Sequence, residues 1–253
     1  PQGQREHGWV VAAPSDMDGI QQLIGGVLPM KWLGEFRRDA WTTFLGREYR
    51  LYGDGVQVKA PDGYLRATAV ALGLGSAKSV AVPAVPATAG GEDDTPQLDA
   101  AKASVYRSTV GRLLWLAPLR LDIQYAVKEA ARSVQHPTEA AWSRLKRLGR
   151  YLRCTEGIVL TMRPGKVGAK SAGKILITGY ADASWGGTAG FRSTSGGLIS
   201  VNGWLVLSFS RTQTSIPLST AEAELIAMSA VAQEMMLVHN IVTEMGLEAT
   251  QQM

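Results

Sequence analysis

Two carboxylates in this chain are placed where metal-dependent phosphodiester chemistry would need them. Asp182 lies near the end of an apolar, β-branched run that predicts a strand. Glu224 lies in a segment with helical periodicity, on a predicted face that it shares with Met228, Val231 and Ala232. A carboxylate on an apolar helix face is costly unless it is paired or binds a metal. Packing of this strand against this helix would therefore bring two oxygen ligands together.

Oxygen ligands of this kind suit Mg²⁺ or Mn²⁺ better than Zn²⁺. Two such ions can hold the attacking and leaving oxygens of a phosphodiester during in-line displacement. The sequence thus predicts Asp182 and Glu224 as metal ligands and catalytic residues. The alternative is structural: Asp182 caps a turn, and Glu224 makes a partly buried salt bridge.

The segments between the two carboxylates predict the elements that would position them. Residues 192–204 and 205–210 are typical of two strands joined by the hairpin signal Asn202-Gly203, so an antiparallel meander follows the Asp182 strand. Ser219 and Glu222 have capping-box spacing immediately before the apolar helix. Glu222 is therefore predicted to have a structural role, and Glu224 is left for the site.

Three motifs in this region resemble the ribonuclease H domain of copia-type (Ty1/copia) retrotransposon polyproteins, in the family's order and spacing. They are Gly179-Tyr-Ala-Asp-Ala-Ser-Trp-Gly-Gly, Arg192-Ser-Thr-Ser-Gly-Gly and Leu218-Ser-Thr-Ala-Glu-Ala-Glu-Leu-Ile-Ala. The resemblance implies that the parent hydrolyses the RNA strand of an RNA–DNA hybrid, with Asp182 and Glu224 as ligands of Mg²⁺ or Mn²⁺. It also makes Arg192, Ser193 and Thr194 candidate phosphate contacts, with turn stabilisation as the alternative.

The resemblance extends upstream to the end of the reverse transcriptase. Tyr106-Arg-Ser-Thr-Val-Gly-Arg-Leu-Leu-Trp-Leu-Ala is similar to the region between polymerase and nuclease, and Leu28-Pro-Met-Lys-Trp-Leu-Gly-Glu to the tail of the palm. The expected fold is α/β (α+β), with a partial palm, a helical connection and an incomplete ribonuclease H-like mixed sheet with helices. The predicted divisions are a palm remnant at 1–75, a Pro/Gly/acidic loop at 76–100, the helical connection at 101–163, a basic Gly-rich linker at 164–174 and the truncated ribonuclease H-like domain at 175–253.

Departures from the family limit the expected activity. The polymerase signature of paired aspartates does not occur in the chain, so DNA polymerisation is not expected. In the family a strand after the Glu224 helix carries a third carboxylate, whereas Glu234, Glu244 and Glu248 are predicted to lie on or just after the helix. Whether this chain is an active endonuclease therefore stays open. The alternative is a catalytically inactive nucleic-acid-binding protein, derived from a decayed or domesticated transposon.

One predicted helix carries a further nucleic-acid contact candidate. It begins after Pro137 with Thr138 as its cap, and its apolar stripe predicts one buried face. A basic stripe on the other side could follow a phosphate backbone, although an ordinary solvated face is the competing interpretation. The basic residues are Lys146, Arg147, Arg150 and Arg153. The helix before this one is predicted to begin with Asp122 as its cap.

Composition agrees with a globular, nucleic-acid-associated protein. The 253 residues carry a net charge of +4, and the pI near 9.3 favours a polyanionic partner. No run of about 18 apolar residues and no signal peptide are evident, so no membrane partner and an intracellular location, cytoplasmic or nuclear, are predicted. The single Cys154 and three scattered histidines predict neither a disulfide nor a zinc site. The remaining partners expected are the rest of the polyprotein and, through an unpaired sheet edge, a second copy.

Overall fold

The computed structural model describes residues 17–27, 38, 40–85, 95–163, 174–187 and 191–253. Within these ranges the chain is mixed, with six α-helices and two four-stranded sheets, which confirms the predicted α+β class. The helices are α1 (Met17–Gly25), α2 (Tyr64–Ala71), α3 (Ala100–Leu116), α4 (Gln124–Arg132), α5 (Glu139–Cys154) and α6 (Thr220–Glu244). The strands are β1 (Thr42–Phe44), β2 (Arg47–Tyr52), β3 (Gly55–Lys59), β4 (Leu160–Met162), β5 (Ile175–Ser184), β6 (Thr194–Val201), β7 (Trp204–Thr212) and β8 (Ala249–Gln252). The motif beginning at Leu28 and nearly all of the predicted 164–174 linker lie outside the described residues.

The first sheet has the order β1-β2-β3-β4 and is antiparallel throughout. Its β2–β3 hairpin turns at Gly53 and Asp54, where Tyr52 pairs with Gly55. A second turn, in which Leu45 and Gly46 both have positive φ, separates β1 from β2. Strand β4 follows α5 and pairs with β3, so the predicted helical connection supplies a strand to the sheet of the predicted palm remnant.

Helices α2 to α5 share one hydrophobic core. Tyr106, Leu113, Leu145 and Leu152 are completely buried in it, and Leu72 just after α2 packs against them. The Tyr106 hydroxyl donates a hydrogen bond to the Ala130 carbonyl over 2.7 Å, which satisfies its only buried polar atom. The predicted palm remnant and helical connection are therefore packed together as one unit.

Two predicted helix starts in this unit had different outcomes. Thr138 caps α5 as predicted, because its Oγ1 accepts a hydrogen bond from the Ala141 amide. The prediction that Asp122 caps the start of α4 is wrong. Asp122 lies in a 3₁₀ turn before α4, where it accepts from Arg120 Nη2 and from the Tyr151 hydroxyl, each over 2.7 Å.

These contacts lower the pKa of the Asp122 carboxyl. Burial alone would raise its pKa, but hydrogen bonds from Arg120 and Tyr151, together with the Arg120 charge, hold the pKa below its ordinary value. Arg120 is only 3% exposed, so its guanidinium depends on this carboxylate for a charged partner. The buried arginine, which sequence inspection did not single out, explains why Asp122 does not cap α4.

The second sheet has the order β7-β6-β5-β8. Strands β5, β6 and β7 form the predicted antiparallel meander, and Asn202 and Gly203 occupy its second turn with the positive φ angles of a tight hairpin. Helix α6 then returns the chain, and β8 pairs parallel to β5, with Ile175 opposite Ala249. The short run at 249–252 thus forms a strand after the Glu224 helix, although it does not carry the third carboxylate of the family.

Helix α6 covers one face of this sheet. Ile177 and Ile199 are fully buried beneath it, and Val231 and Met235 pack on them from the helix. Gly179 lies directly under Val231 and Met235, so the absence of a side chain there allows the close approach of helix and strand.

By length and composition α6 could cross a membrane, with a mean hydropathy of 1.4 over its most apolar 18-residue window. The prediction of no membrane partner rested on the lack of an uninterrupted apolar run, which α6 also lacks because Glu224, Ser229 and Glu234 interrupt it, and it stays a prediction. The core helix of a globular domain passes the same test, and one ridge of α6 packs on the sheet. Its outer surface nevertheless exposes five large apolar side chains, namely Leu225, Met228, Met236, Leu237 and Ile241, and Met245 just after the helix is exposed as well.

Candidate functional site

Asp182 lies on the exposed face of β5. The register with β6 is continuous from Ile177 to Ser184, and it pairs Asp182 with Gly196. Successive side chains of a strand point to opposite faces, so Asp182 shares a face with Tyr180 and Ser184, while Gly179 faces α6. Asp182 is accordingly exposed, with the side chain directed away from the helix.

Glu224 lies just past the first turn of α6, at the edge of the face that packs on the sheet. It is half-buried, whereas Met228, which was predicted to share its face inside the core, is 47% exposed. The prediction that Met228 lies on the buried face is wrong, because the residues of α6 that pack on the sheet form a different row, spaced four positions apart along the helix. The row consists of Ala223, Ala227, Val231 and Met235.

The two carboxylates lie at the same end of the β5–α6 layer. Because β8 follows α6 and pairs parallel to β5, the helix runs antiparallel to β5 and begins near the end of that strand. The fold thus brings the first turn of α6 to the level of Asp182. Strand alternation, however, directs Asp182 to the sheet face opposite α6 and Glu224.

The described residues do not form a complete two-metal site. None of them groups three or more His, Cys, Asp or Glu side chains in a way that could hold a metal ion. Strand β8, beside β5, has no carboxylate, and the preceding Glu248 pairs with Lys174 over 2.8 Å. Asp182 and Glu224 alone would be too few ligands for a pair of Mg²⁺ or Mn²⁺ ions.

Glu222 has the structural role that its spacing predicted. Ser219 caps α6, since its Oγ accepts from the Glu222 amide over 3.2 Å. The Glu222 carboxylate reaches back and accepts from the Leu218 amide over 2.7 Å. These bonds satisfy amides that a helix start otherwise leaves unpaired, and they distinguish Glu222 from Glu224 only two residues away.

The predicted phosphate contacts Ser193 and Thr194 are buried. Ser193 is fully inaccessible and its Oγ accepts from the Gly186 amide over 3.0 Å. Thr194 is 5% exposed and accepts from Lys128 Nζ over 2.8 Å. Both hydroxyls therefore have hydrogen-bond partners within the protein, and their contact with phosphate stays a prediction. Arg192 is exposed and donates a hydrogen bond to the Thr214 carbonyl.

The basic stripe of α5 is half-buried rather than fully solvated. Arg153 Nη1 donates to the carbonyls of Leu74 and Gly75 and so joins α5 to the segment after α2. The Nε atoms of Arg147 and Arg150 are buried and have no hydrogen-bond partner among the described residues. Arg153 thus has a structural role, and the contact of Lys146, Arg147 and Arg150 with nucleic acid stays a prediction.

Sequence inspection missed the residues that join the helical unit to the second sheet. Gln124 Nε2 donates to Ser208 Oγ over 2.7 Å, and Lys128, one turn later on α4, reaches Thr194 on β6. Burial lowers the pKa of Lys128, even though its ion pair with the adjacent Glu129 favours the charged form. Helix α4 thereby covers part of the sheet face opposite α6, the face that also carries Asp182.

The chain is similar to proteins of transposons. It is 31% identical over 144 residues to a retrovirus-related Pol polyprotein from transposon RE2 of Arabidopsis thaliana, a match that covers 56% of this chain and 9% of that protein. It is 32% identical over 144 residues to the corresponding polyprotein from transposon TNT 1-94 of Nicotiana tabacum, covering 56% of this chain and 10% of that protein. The match therefore spans about a tenth of each polyprotein.

A separate, shorter protein also matches. The chain is 35% identical over 133 residues to the secreted RxLR effector protein 161 of Plasmopara viticola, covering 51% of this chain and 87% of that protein. No family model matches the chain, and no solved structure matches it. The chain therefore belongs to the same family as this effector protein, and it is similar to a segment of the retrovirus-related Pol polyproteins of transposons.

Proposed function

We propose that this chain runs from the end of the reverse transcriptase palm, through a helical connection, into the ribonuclease H domain of a copia-type Pol polyprotein. The observation that supports this most is the placement of the three nuclease-like motifs. They lie on β5, at the start of β6 and at the start of α6, within one sheet-and-helix unit. A meander followed by a helix and a strand parallel to β5 is the arrangement that would bring the motifs to one end of the unit.

The activity proposed for the polyprotein is endonucleolytic hydrolysis of the RNA strand of an RNA–DNA hybrid, dependent on Mg²⁺ or Mn²⁺. Asp182 and Glu224 are its proposed ligand and catalytic residues within this chain. Because the described residues lack a complete site, the remaining carboxylates are proposed to come from elsewhere in the polyprotein. DNA polymerisation is not proposed for this segment.

An RNA–DNA hybrid is the proposed partner in nucleic acid binding. The net charge of +4 supports a polyanion, and Arg192 is an exposed cation within the nuclease-like unit. The rest of the polyprotein is the proposed protein partner. The proposed location is intracellular, in the cytoplasm or the nucleus, with no membrane association.

A cleavage assay tests this proposal. The polyprotein that contains this chain should release labelled RNA fragments from a hybrid in Mg²⁺ or Mn²⁺, and should leave double-stranded DNA intact. Asp182→Asn should lower the rate by at least about 100-fold, since a metal ligand contributes several kcal/mol to the transition state. Ser184→Ala is the matched control, because Ser184 lies on the same face two residues further along β5. Cleavage that survives Asp182→Asn would contradict the proposed role.

A second candidate is a non-catalytic nucleic-acid-binding protein, domesticated or decayed from a transposon. The observation that favours it is the match to 87% of a relative that is described as a secreted effector rather than as a polyprotein. The Asp182→Asn, Glu224→Gln double variant separates the two candidates. Binding of hybrid that equals wild type, with no cleavage by either protein, would favour this second candidate.

A further inference from the structure

Gln213 links the end of the meander to the first turn of α6. It follows β7 directly and is only 4% exposed. Its Nε2 donates to Ser195 Oγ on β6 over 2.9 Å and to the Ala223 carbonyl on α6 over 2.8 Å. Its own amide donates to the Ser193 carbonyl over 2.8 Å. One buried side chain thus joins two elements of the second sheet unit.

The orientation of this amide is determined by its partners. Both hydrogens on Nε2 are used, and the opposite orientation would set the Gln213 oxygen against the Ala223 carbonyl oxygen. In the orientation observed, Oε1 is buried and has no hydrogen-bond partner among the described residues. A buried acceptor without a partner is unfavourable, so the two donated bonds must outweigh that cost. The connection to Ala223 is therefore specific rather than incidental.

The bond to Ala223 acts next to the candidate ligand. Ala223 immediately precedes Glu224. The capping bonds of Ser219 and Glu222 satisfy amides within the first turn of α6, but they do not connect this turn to the sheet. Two residues before Gln213, on the same side of the chain, Arg211 pairs with Glu234 over 2.7 Å, further along α6. Arg211 is 54% exposed, so its ion pair is the weaker of the two attachments.

We propose that Gln213 is a positioning residue, which holds the first turn of α6 against β6 and thereby sets the place of the Glu224 carboxylate. The inference rests on the proposed function only in giving Glu224 the role of a metal ligand. The attachment itself is a property of the fold. Loss of the two bonds should loosen the first turn while the buried ridge of α6 stays packed.

The first test uses this chain and does not depend on any activity. Gln213→Met keeps the length of the side chain and removes both donors, and Gln233→Met is the same change at an exposed position on α6. Amide hydrogen exchange at 223–226 should become about tenfold faster in Gln213→Met, with little change at 231–242 and none in Gln233→Met. Equal exchange in Gln213→Met and wild type would overturn the inference. If Gln213→Met unfolds the chain, Ser195→Ala should give the same local change at about threefold.

The second test uses the cleaving polyprotein. In Gln213→Met the Mg²⁺ concentration for half-maximal hybrid cleavage should rise about tenfold, because a displaced Glu224 binds metal less tightly. A purely structural role would lower the amount of folded protein and leave this concentration unchanged, which would overturn the inference. If the wild-type polyprotein does not cleave at all, the proposed function fails, and the exchange measurement still decides whether Gln213 holds the turn.

Discussion

The packing of α6 on β5 depends on the absence of a side chain at Gly179. A Cβ added at this position would overlap Met235 Sδ and lie 2.8 Å from Val231 Cγ1, where ordinary van der Waals contact begins near 3.4 Å. Val231 is fully buried and its β-branched side chain has little rotational freedom. Met235 is flexible and can turn aside. Gly179→Ala therefore requires the helix or the strand to shift by about half an ångström.

The expected size of the effect follows from this geometry. Overpacking a core costs about 1–3 kcal/mol, and the flexibility of Met235 favours the middle of that range. Replacing glycine also restricts the unfolded chain, which offsets about 0.4–1 kcal/mol. The free energy of unfolding of Gly179→Ala should thus fall by about 1–2 kcal/mol.

Gly196→Ala is the matched control for Gly179→Ala. Gly196 lies on β6 opposite Asp182, and the nearest atom to its added Cβ is the Asp182 carbonyl oxygen at an ordinary 3.7 Å. The free energy of unfolding of Gly196→Ala should equal that of wild type or exceed it by about 0.5 kcal/mol. Urea unfolding of wild type and both variants measures the difference. A Gly179→Ala protein as stable as wild type, or an equal loss in Gly196→Ala, would refute the assignment of α6 to the face opposite Asp182.

Three further predictions concern other parts of the chain. Asp122→Asn should lower the free energy of unfolding by about 3 kcal/mol, because Arg120 is left buried without a charged partner. The pKa of Asp122 is lowered in the folded protein, so its ionised carboxylate stabilises the fold above about pH 4, and this stabilisation is lost as pH falls through the folded pKa. The free energy of unfolding should therefore fall less steeply with acid in the variant than in wild type. Ser219→Ala should lower the thermal midpoint through a capping loss of about 1 kcal/mol, measured by circular dichroism. Strand β8 lies at an edge of the second sheet and carries no charge, so light scattering should detect self-association of the chain. Thr250→Lys should reduce this association, and a wild-type chain that is monomeric at all concentrations would contradict the prediction.

Local signals in the sequence predicted local structure well. Asn202-Gly203 specified the hairpin, and Ser219 and Thr138 each cap the helix that they precede. These signals work because the residue and its hydrogen-bond partner lie within a few positions of one another. The meander and the approximate course of α6 followed from them.

Long-range partners explain what the sequence did not predict. Asp122 has the residue type and position of a helix cap, but in the structure its carboxylate accepts hydrogen bonds from the buried Arg120 and the distant Tyr151 instead. The run at 249–252 has little strand character of its own, and it becomes β8 by pairing with β5. Tertiary context of this kind overrides propensity.

The candidate site shows the same division. The strand carrying Asp182 and the helix carrying Glu224 were predicted, and so was the separate role of Glu222. The side of the sheet on which Asp182 lies depends on which set of alternating β5 residues packs under α6. Alternation along β5 already indicates this side, because Ile177, Ala181 and Ala183 share the face of Gly179, whereas Tyr180, Asp182 and Ser184 share the other. The prediction that Asp182 and Glu224 come together did not use this alternation.

Hybrid cleavage by Glu224→Gln and Glu222→Gln, compared in the polyprotein that contains this chain, decides whether Glu224 acts as a catalytic metal ligand. The two glutamates are two residues apart on one helix, and each change removes only a charge. We expect a loss of at least about 100-fold for Glu224→Gln and near wild-type cleavage for Glu222→Gln, whose amide oxygen can still accept from the Leu218 amide. Equal cleavage by the two variants, or a larger loss in Glu222→Gln, would contradict this role of Glu224.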